Sequence, residues 1–186
     1  MSNATEIANR AKEITLLVSD VDGVLTDGSI YVGAMGEQKR FTVTDGMGVA
    51  LARVTPLNVV LLSGRHSEAT TIRAKELQLE ENVYQGYLNK ITALREIKDR
   101  FQVSPGQMAY IGDDYVDLPV MREVGLAIAV PNARPKVKEE AAHILETPGG
   151  EGALTEAIEM ILEARGELDG AVRELEKNVY LADEGL

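Results

Sequence analysis

Short apolar runs alternate along the chain with longer segments in which apolar residues recur at helical spacing. The apolar runs have the length of strands and cover residues 14–18, 59–62, 108–111 and 127–130. Helices are predicted over residues 48–53, 67–77, 90–101, 118–124, 135–142 and 153–164. Such alternation is typical of a parallel sheet covered by helices on both faces. The pattern therefore predicts an α/β fold with a Rossmann-like sheet.

One segment after the first strand departs from this alternation. Residues 29–32 and 39–43 flank the turn-like sequence Gly33-Ala34-Met35-Gly36, which predicts a β-hairpin. Because the hairpin follows the first strand directly, we expect it to stand over the site as a flap. The predicted organisation is an N-terminal extension (1–12), one domain (13–165, with the hairpin inserted at about 29–43) and an acidic tail (166–186) that forms a mobile helix or arm.

Composition narrows the classes of partner. The chain has 186 residues, a net charge of −11 and no cysteine. This length suits one domain with a real core. The negative field repels nucleic acid and anionic membranes, so neither is expected as a partner. Without cysteine there are no disulfides or thiolate metal sites, and the N-terminus has no secretory pattern, so we expect a cytoplasmic protein.

The first strand ends in the sequence Asp20-Val21-Asp22-Gly23. Residues two apart in an extended chain point the same way, so both carboxylates can converge on one ligand. Gly23 permits a sharp turn that leaves them at the strand's end. Such a pair suggests a nucleophile beside a proton donor, or a site for a hard cation. The alternative is a simple turn rich in Asp and Gly after a buried strand.

Further polar residues follow the other strands. They are Ser63, Gly64 and Arg65 after the second strand, Lys90 at a helix start, and Asp113, Asp114 and Asp117 after the third strand. Each alone has a simpler explanation as a turn, a helix cap or a solvated lysine. In open α/β sheets, however, ligands bind at the carboxyl ends of the strands, where all of these residues are predicted to lie.

These residue types suit phosphoryl transfer. Asp20 and Asp113 are candidates to hold Mg²⁺, which neutralises phosphoryl charge. Asp20 is the candidate nucleophile that forms an aspartyl phosphate, and Asp22 is the candidate acid/base for the leaving oxygen and then for water. Ser63 can donate a hydrogen bond to a phosphate oxygen, and Lys90 can offset negative charge.

Four segments together resemble a known superfamily. Asp20-x-Asp22-x-x-x-Thr26, Ser63, Lys90 and Gly112-Asp113-Asp114-x-x-Asp117 resemble the motifs of the haloacid dehalogenase phosphatases. Residues 20–28, 43–48, 62–65, 84–86 and 110–114 resemble more closely the phosphatases for 3-deoxy-D-manno-octulosonate (KDO) 8-phosphate. The resemblance extends from about residue 14 to residue 165. It implies a haloacid dehalogenase fold without a large cap domain, assembled as a homotetramer through the hairpin.

The resemblance also implies an activity and roles for residues. The implied reaction is Mg²⁺-dependent hydrolysis of KDO 8-phosphate to KDO and phosphate, in lipopolysaccharide precursor biosynthesis. Asp20 matches the nucleophile and a metal ligand, Asp22 the acid/base whose backbone carbonyl is also a metal ligand, and Asp113 the third protein ligand. Asp114 and Asp117 match supporting positions. Thr26 and Gly64 match substrate-binding positions.

Two arginines bear on the substrate. Arg65 matches an arginine suited to the carboxylate of the sugar acid, and its planar guanidinium fits that group. Relatives that act on nine-carbon sugar acids can carry glutamate there, so a 9-phosphorylated nonulosonate (KDN or N-acylneuraminate) is the alternative substrate. Arg73 matches an arginine contributed across the subunit interface. Glu151 departs from the pattern, since many relatives carry arginine at that position.

Two other classes of protein share parts of this pattern. Phosphorylation receiver domains also combine acidic residues, a hydroxyl and a lysine, but they place an adjacent acidic pair after the first strand. This chain instead has the spaced pair Asp20-x-Asp22 after the first strand and the adjacent pair Asp113-Asp114 after a later strand, and it is longer than a receiver domain. A non-catalytic assembly domain would be favoured by loss of the nucleophile or of a metal ligand, and neither is lost. The sequence therefore favours a phosphatase.

Overall fold

The computed structural model describes residues 3–34 and 36–183. Its strands are β1 (Leu16–Ser19), β2 (Tyr31–Gly33), β3 (Gly36–Gln38), β4 (Asn58–Ser63), β5 (Val83–Gln85), β6 (Met108–Gly112), β7 (Leu126–Ala129) and β8 (His143–Ile144). Among these residues, six strands form one parallel sheet in the order β5-β4-β1-β6-β7-β8, and β2 pairs with β3 as an antiparallel hairpin. The predicted parallel sheet is confirmed.

The helices lie in two sets. They are α1 (Asn3–Glu13), α2 (Thr44–Arg53), α3 (Glu68–Glu76), α4 (Lys90–Phe101), α5 (Leu118–Met121), α6 (Pro135–Glu140), α7 (Ala153–Arg165) and α8 (Leu168–Asp183). Helix α7 contacts α1, α2 and α8, whereas α5 contacts α4 and α6. The connection from β1 to β4 through α2 and the connection from β6 to β7 through α5 run in opposite directions along the sheet. Right-handed crossovers therefore place α2 and α5 on opposite faces. The α/β fold with both faces covered is therefore as predicted.

The strand order reverses next to β1, which makes the end of β1 the expected ligand position. Between β1 and α2 the described residues contain only the small hairpin, so no large cap domain covers this edge. Every residue of β1, β6 and β7 is buried. Strands covered on both faces need apolar side chains in succession, which is why their sequences show no alternation. None of the described helices is long and apolar enough to cross a bilayer.

Several elements differ from the predictions. The edge strands β5 and β8 were not predicted, because runs of 3 and 2 residues show no usable periodicity. The N-terminal segment treated as an extension contains helix α1, whose Ala11 is fully buried and which packs on α7. The tail forms helix α8 within its described part. The described ranges end before the last three residues of the predicted tail.

The second strand of the hairpin also differs from the prediction. Its second strand was predicted over residues 39–43, but β3 ends at Gln38. Gly36, with φ of +98°, begins β3 and pairs with Gly33, so the second strand starts and ends earlier than predicted. Phe41 instead forms an isolated antiparallel bridge with Thr26. The chain therefore returns from the hairpin directly beside the loop that follows β1.

Helices α2 and α7 pack closely at Gly48, and this contact can be tested. A Cβ at Gly48 would lie 2.7 Å from the backbone Cα of Thr155. We expect Gly48→Ala to lower the free energy of unfolding by about 1–3 kcal/mol, because the two helix backbones must separate. The matched change Gly170→Ala in α8 meets open space. It should raise stability by about 0.5–1 kcal/mol. Urea unfolding of both variants would measure these changes in the free energy of unfolding. A Gly48→Ala variant with the wild-type free energy of unfolding would refute the close contact.

Candidate active site

The loop after β1 holds Asp20 at the centre of the sheet edge. The Asp20 amide donates to the carbonyl of Ile111 in β6 at 3.0 Å, and the Val21 amide donates to Asp20 Oδ1 at 2.7 Å. Gly23 has φ of +104°, and a Cβ there would lie 2.1 Å from Asp113 Oδ2. Only glycine therefore lets this loop approach the carboxylate that follows β6.

Thr26 closes the same loop. Its buried hydroxyl accepts hydrogen bonds from the amides of Gly23 at 3.3 Å and Gly28 at 3.2 Å, and it donates to the Val21 carbonyl at 3.4 Å. The structure thus directs this hydroxyl towards loop backbone. The loop around residue 149 packs against it from the other side, since the Gly150 amide donates to the Val24 carbonyl at 2.9 Å. The predicted contact of Thr26 with substrate stays a prediction.

Lys90 begins α4 and is buried between two carboxylates. Its Nζ lies 2.8 Å from Asp20 Oδ1 and 2.7 Å from Asp117 Oδ1, and only 2% of the residue is exposed. It also donates to the hydroxyl of Tyr110 at 3.0 Å, which in turn donates to Asp117 Oδ1 at 2.6 Å. Burial disfavours the ammonium, but the charges of Asp20 and Asp117 outweigh it and raise the pKa of Lys90.

Asp117 organises the turn after β6. Its Oδ2 accepts hydrogen bonds from the amides of Asp113 at 2.9 Å and Asp114 at 3.1 Å. Its Oδ1 is bound by Lys90 and Tyr110. With both oxygens engaged in this way, Asp117 is suited to support the site rather than to ligate a metal.

Asp20 and Asp113 fit a metal ion better. Oxygens of Asp20, Asp113 and Asp117 lie within 4.8 Å of one another. Asp113 Oδ1 is buried and has no hydrogen-bond partner within the described part of the chain. A buried carboxylate oxygen without a partner is costly unless a cation binds it. Asp113 together with the nearby carboxylate of Asp20 matches the preference of Mg²⁺ for one or two carboxylates and several waters.

Crowding of these acids raises their pKa values. Burial is the main cause that raises the pKa of Asp20 to about 7, against the lowering effect of Lys90. Burial, followed by the charges of Asp20 and Asp117, raises the pKa of Asp113 to about 8. The metal-free site therefore holds protons near neutral pH that a bound cation would displace.

Asp22 lies beside this pair and contacts two other elements. Ser63 Oγ, at the buried end of β4, lies 3.5 Å from Asp22 Oδ2, and it accepts the Arg65 amide at 3.1 Å. Lys39, just after β3, forms an ion pair with Asp22 Oδ1 at 2.7 Å. Arg65 Nη2 binds Glu37 Oε2 at 2.5 Å. The hairpin thus reaches both the candidate acid/base and the candidate carboxylate-binding arginine.

A cavity of about 220 Å³ brings most of the predicted residues together. It is lined by Asp20, Asp22, Gly64, Arg65, Lys90, Asp113 and Asp114, with Leu88 and Val116 as apolar walls. Arg73 is not among the lining residues. Its guanidinium donates to the Thr42 carbonyl at 2.7 Å and stacks on the Phe41 ring. A contribution of Arg73 to a neighbouring subunit stays a prediction.

Sequence reasoning missed two residues of the site. Tyr110 supplies a hydroxyl from inside the buried strand β6, where a polar atom needs a partner. That burial was the signal that could have identified it. Lys39 had a weaker signal, since Glu37 and Lys39 share one face of an extended segment. The error in the hairpin register hid it.

Comparison with known proteins agrees with this geometry. The family model of the haloacid dehalogenase-like hydrolases matches residues 61–158. Together with the parallel sheet and the acidic cluster, this match defines the class as a haloacid dehalogenase-like hydrolase.

Individual relatives narrow the class. The KDO 8-phosphate phosphatase of Yersinia pestis is 40% identical over 169 residues, 90% of each chain. A crystal structure of that phosphatase from Yersinia pestis covers 89% of both chains with a TM-score of 0.86. The phosphatase of Moraxella catarrhalis, solved with magnesium, phosphate and KDO, is 36% identical and covers 91% of this chain and 98% of its own, with a TM-score of 0.87. The chain belongs to the family of KDO 8-phosphate phosphatases.

The buried position of Lys90 predicts a large effect on stability. Lys90→Met should lower the free energy of unfolding by about 3–5 kcal/mol, because Asp20 and Asp117 would stay buried without their cation. Chemical denaturation would measure the loss. Lys136→Met is the control, since that lysine is exposed and, in the part of the chain that the structure describes, forms an ion pair only with Glu139. A Lys90→Met variant as stable as the control would show that the two carboxylates need no cation.

The raised pKa values predict how pH affects metal binding. Protonated Asp20 and Asp113 cannot ligate a cation, so Mg²⁺ binding must release protons and weaken as the pH falls from about 8 to about 6. Calorimetric titration in two buffers with different ionisation enthalpies would count the released protons. Asp113→Asn is the comparison and should release fewer. Equal affinity at both pH values would contradict the raised pKa values.

Proposed function

We propose that the protein is a magnesium-dependent phosphatase that hydrolyses KDO 8-phosphate to KDO and inorganic phosphate. The observation that carries the proposal is the 40% identity with a phosphatase for this substrate over 90% of each chain. The cavity supports it, because a nucleophile candidate, an acid/base candidate and a buried cation all lie at the same sheet edge. The bound groups of the Moraxella catarrhalis relative also support it.

The first step forms an aspartyl phosphate. A carboxylate oxygen of Asp20 attacks phosphorus, and the bond between phosphorus and the sugar oxygen breaks. Asp22 gives its proton to that leaving oxygen. Ser63 donates a hydrogen bond to a phosphate oxygen, and the ammonium of Lys90 offsets charge on Asp20 and on the phosphoryl group. Asp20, Asp113 and the Asp22 carbonyl would hold Mg²⁺, which would supply further positive charge.

The second step regenerates the enzyme. Water attacks phosphorus of the aspartyl phosphate and transfers a proton to Asp22, while the bond between phosphorus and Asp20 breaks. Phosphate leaves, Asp20 is again a carboxylate, and Asp22 is again protonated. Asp114 and Asp117 act indirectly, by shaping the loop that carries Asp113.

Arg65 is proposed to select the sugar acid. Its side chain is half exposed at the cavity, and it already binds the carboxylate of Glu37. A guanidinium that pairs with one carboxylate suits another from a ligand. Gly64, beside it, lines the cavity without a side chain that would keep the phosphate from the backbone.

We further propose a cytoplasmic homotetramer built through the hairpin. Tyr31, Val32, Val43 and Ile72 are large apolar residues exposed by 55–86% on and near the hairpin. Exposed apolar side chains grouped in this way favour burial in an interface. Arg73 would then reach a neighbouring site. Light scattering tests the assembly, and a monomer at micromolar concentration would refute it.

The activity is tested by phosphate release from KDO 8-phosphate and from 9-phosphorylated nonulosonates, with Mg²⁺ and with EDTA. We expect release that needs Mg²⁺ and prefers KDO 8-phosphate. Asp20→Asn should abolish turnover and keep the fold, because the amide is a poor nucleophile of the same shape. Asp169→Asn, at an exposed position in α8, is the control. Preference for a nine-carbon substrate would refute the specificity, and turnover by Asp20→Asn would refute the nucleophile.

A further inference from the structure

Lys39 is an unusual lysine because its side chain is fully buried, with 0% exposed. Its Nζ lies 2.7 Å from Asp22 Oδ1 and donates to Thr70 Oγ1 in α3 at 3.2 Å. A second carboxylate, that of Glu37, lies 3.7 Å away. Lysines are almost never fully buried unless they are paired, and here the closest partner is the candidate acid/base.

We propose that Lys39 is a positioning residue that orients the carboxyl group of Asp22 for proton transfer. The inference rests on the proposed function, in which Asp22 is the acid/base. It adds that the hairpin segment, outside the central sheet, completes the proton-transfer group.

The contacts of the two aspartates explain why only Asp22 needs such a residue. Asp20 is held by its own neighbour Val21 and by Lys90. Within the described residues, the Asp22 carboxylate has a long contact with Ser63, at 3.5 Å to Oδ2, and an ion pair with Lys39 at Oδ1, an oxygen that has no hydrogen-bond partner there. A hydrogen bond of that length constrains a side chain weakly. Orientation of Asp22 therefore depends on Lys39, whereas orientation of Asp20 does not.

The ion pair also assigns different tasks to the two oxygens of Asp22. Lys39 engages Oδ1, and Ser63 at the end of β4 lies beside Oδ2. Oδ2 is then the oxygen that carries the proton between Asp22 and the leaving oxygen or water. Without Lys39 the carboxyl group can rotate, and the proton is no longer directed at the reacting atoms.

A second contact fixes the segment that carries Lys39. Glu37 lies two residues earlier on the same face and binds Arg65, which lines the cavity. The charges of Asp22, Lys39, Glu37 and Arg65 thus alternate in sign. Thr70 adds a neutral contact from α3. The buried ammonium of Lys39 thus has contacts with Asp22, Glu37 and Thr70, which fix its position as a positioning group requires.

The test uses the leaving group. A sugar alkoxide must be protonated as it leaves, whereas 4-nitrophenolate leaves without a proton, so only the former depends on a general acid. We expect Lys39→Met to lower kcat/KM for KDO 8-phosphate by about 10- to 100-fold. For 4-nitrophenyl phosphate the loss should stay below about threefold. Because kcat/KM reports the steps up to formation of the aspartyl phosphate, hydrolysis of that intermediate does not confuse the comparison.

A double-mutant cycle shows whether Lys39 acts through Asp22. In an Asp22→Asn background, Lys39→Met should have little further effect on either substrate. Arg40→Met is the matched control, since Arg40 is the next residue, is exposed and pairs only with Asp27 among its described ion-pair contacts. It should leave both kcat/KM values unchanged.

Three results would overturn the proposal. They are equal losses for both phosphates, additive losses in the cycle, and wild-type rates in Lys39→Met. If thermal unfolding shows that the Lys39→Met variant is not folded, Lys39→Gln gives the same comparison with a side chain that ends in a polar amide. If the wild-type protein fails on KDO 8-phosphate yet hydrolyses another alkyl phosphate, the proposed substrate is wrong, and the leaving-group test is decided with that alkyl phosphate.

Discussion

The ion pairs of Lys90 with Asp20 and Asp117 are the interaction on which both the fold and the site depend. An ammonium group at this depth has lost its hydration and needs two carboxylates to replace it. Those carboxylates come from the loops after β1 and β6, and the lysine comes from the start of α4. One buried charge therefore joins the parts that must converge for phosphoryl transfer.

Different hydrogen bonds give two chemically identical side chains, those of Asp117 and Asp113, different roles in the structure. Asp117 receives hydrogen bonds on both oxygens and becomes part of the scaffold, whereas Asp113 keeps a buried oxygen without a partner in the described residues. The difference arises from the short turn Tyr115–Asp117, which brings the carboxylate of Asp117 back to the amides of Asp113 and Asp114. Affinity for a cation is thus decided by what the backbone leaves unsatisfied.

The central strands and the acidic residues could be predicted because their physical signals are local. A strand buried on both faces needs an unbroken apolar run, and an Asp-Gly turn after it marks the strand's end. Lys90 and Ser63 could be placed because the carboxyl ends of parallel strands share one edge. These signals sufficed for the four central strands of the sheet and for the candidate site residues that line the cavity.

What could not be predicted depends on contacts between distant segments. The short strands β5 and β8 exist because a neighbouring strand offers hydrogen bonds, not because of their own pattern. The hairpin register depends on Gly36 and on the bridge of Phe41 with Thr26. The burial of Lys39 follows from that register, so the face that it shares with Glu37 in the sequence was too weak a signal to identify it. Likewise, the position of Arg73 beside Phe41 depends on how α3 meets the hairpin.

The pairing of β1 with both β4 and β6 has a consequence for biosynthesis. The nucleophile candidate Asp20 is among the first structured residues to be translated. Strand β6, whose carbonyl of Ile111 accepts the hydrogen bond from the Asp20 amide, comes far later in the chain. Contacts between such distant segments form late in folding. The emerging chain on the ribosome consequently carries Asp20 without the lysine and the second carboxylate that surround it in the folded protein. Catalytic competence arises only when the second half of the domain has folded onto the first.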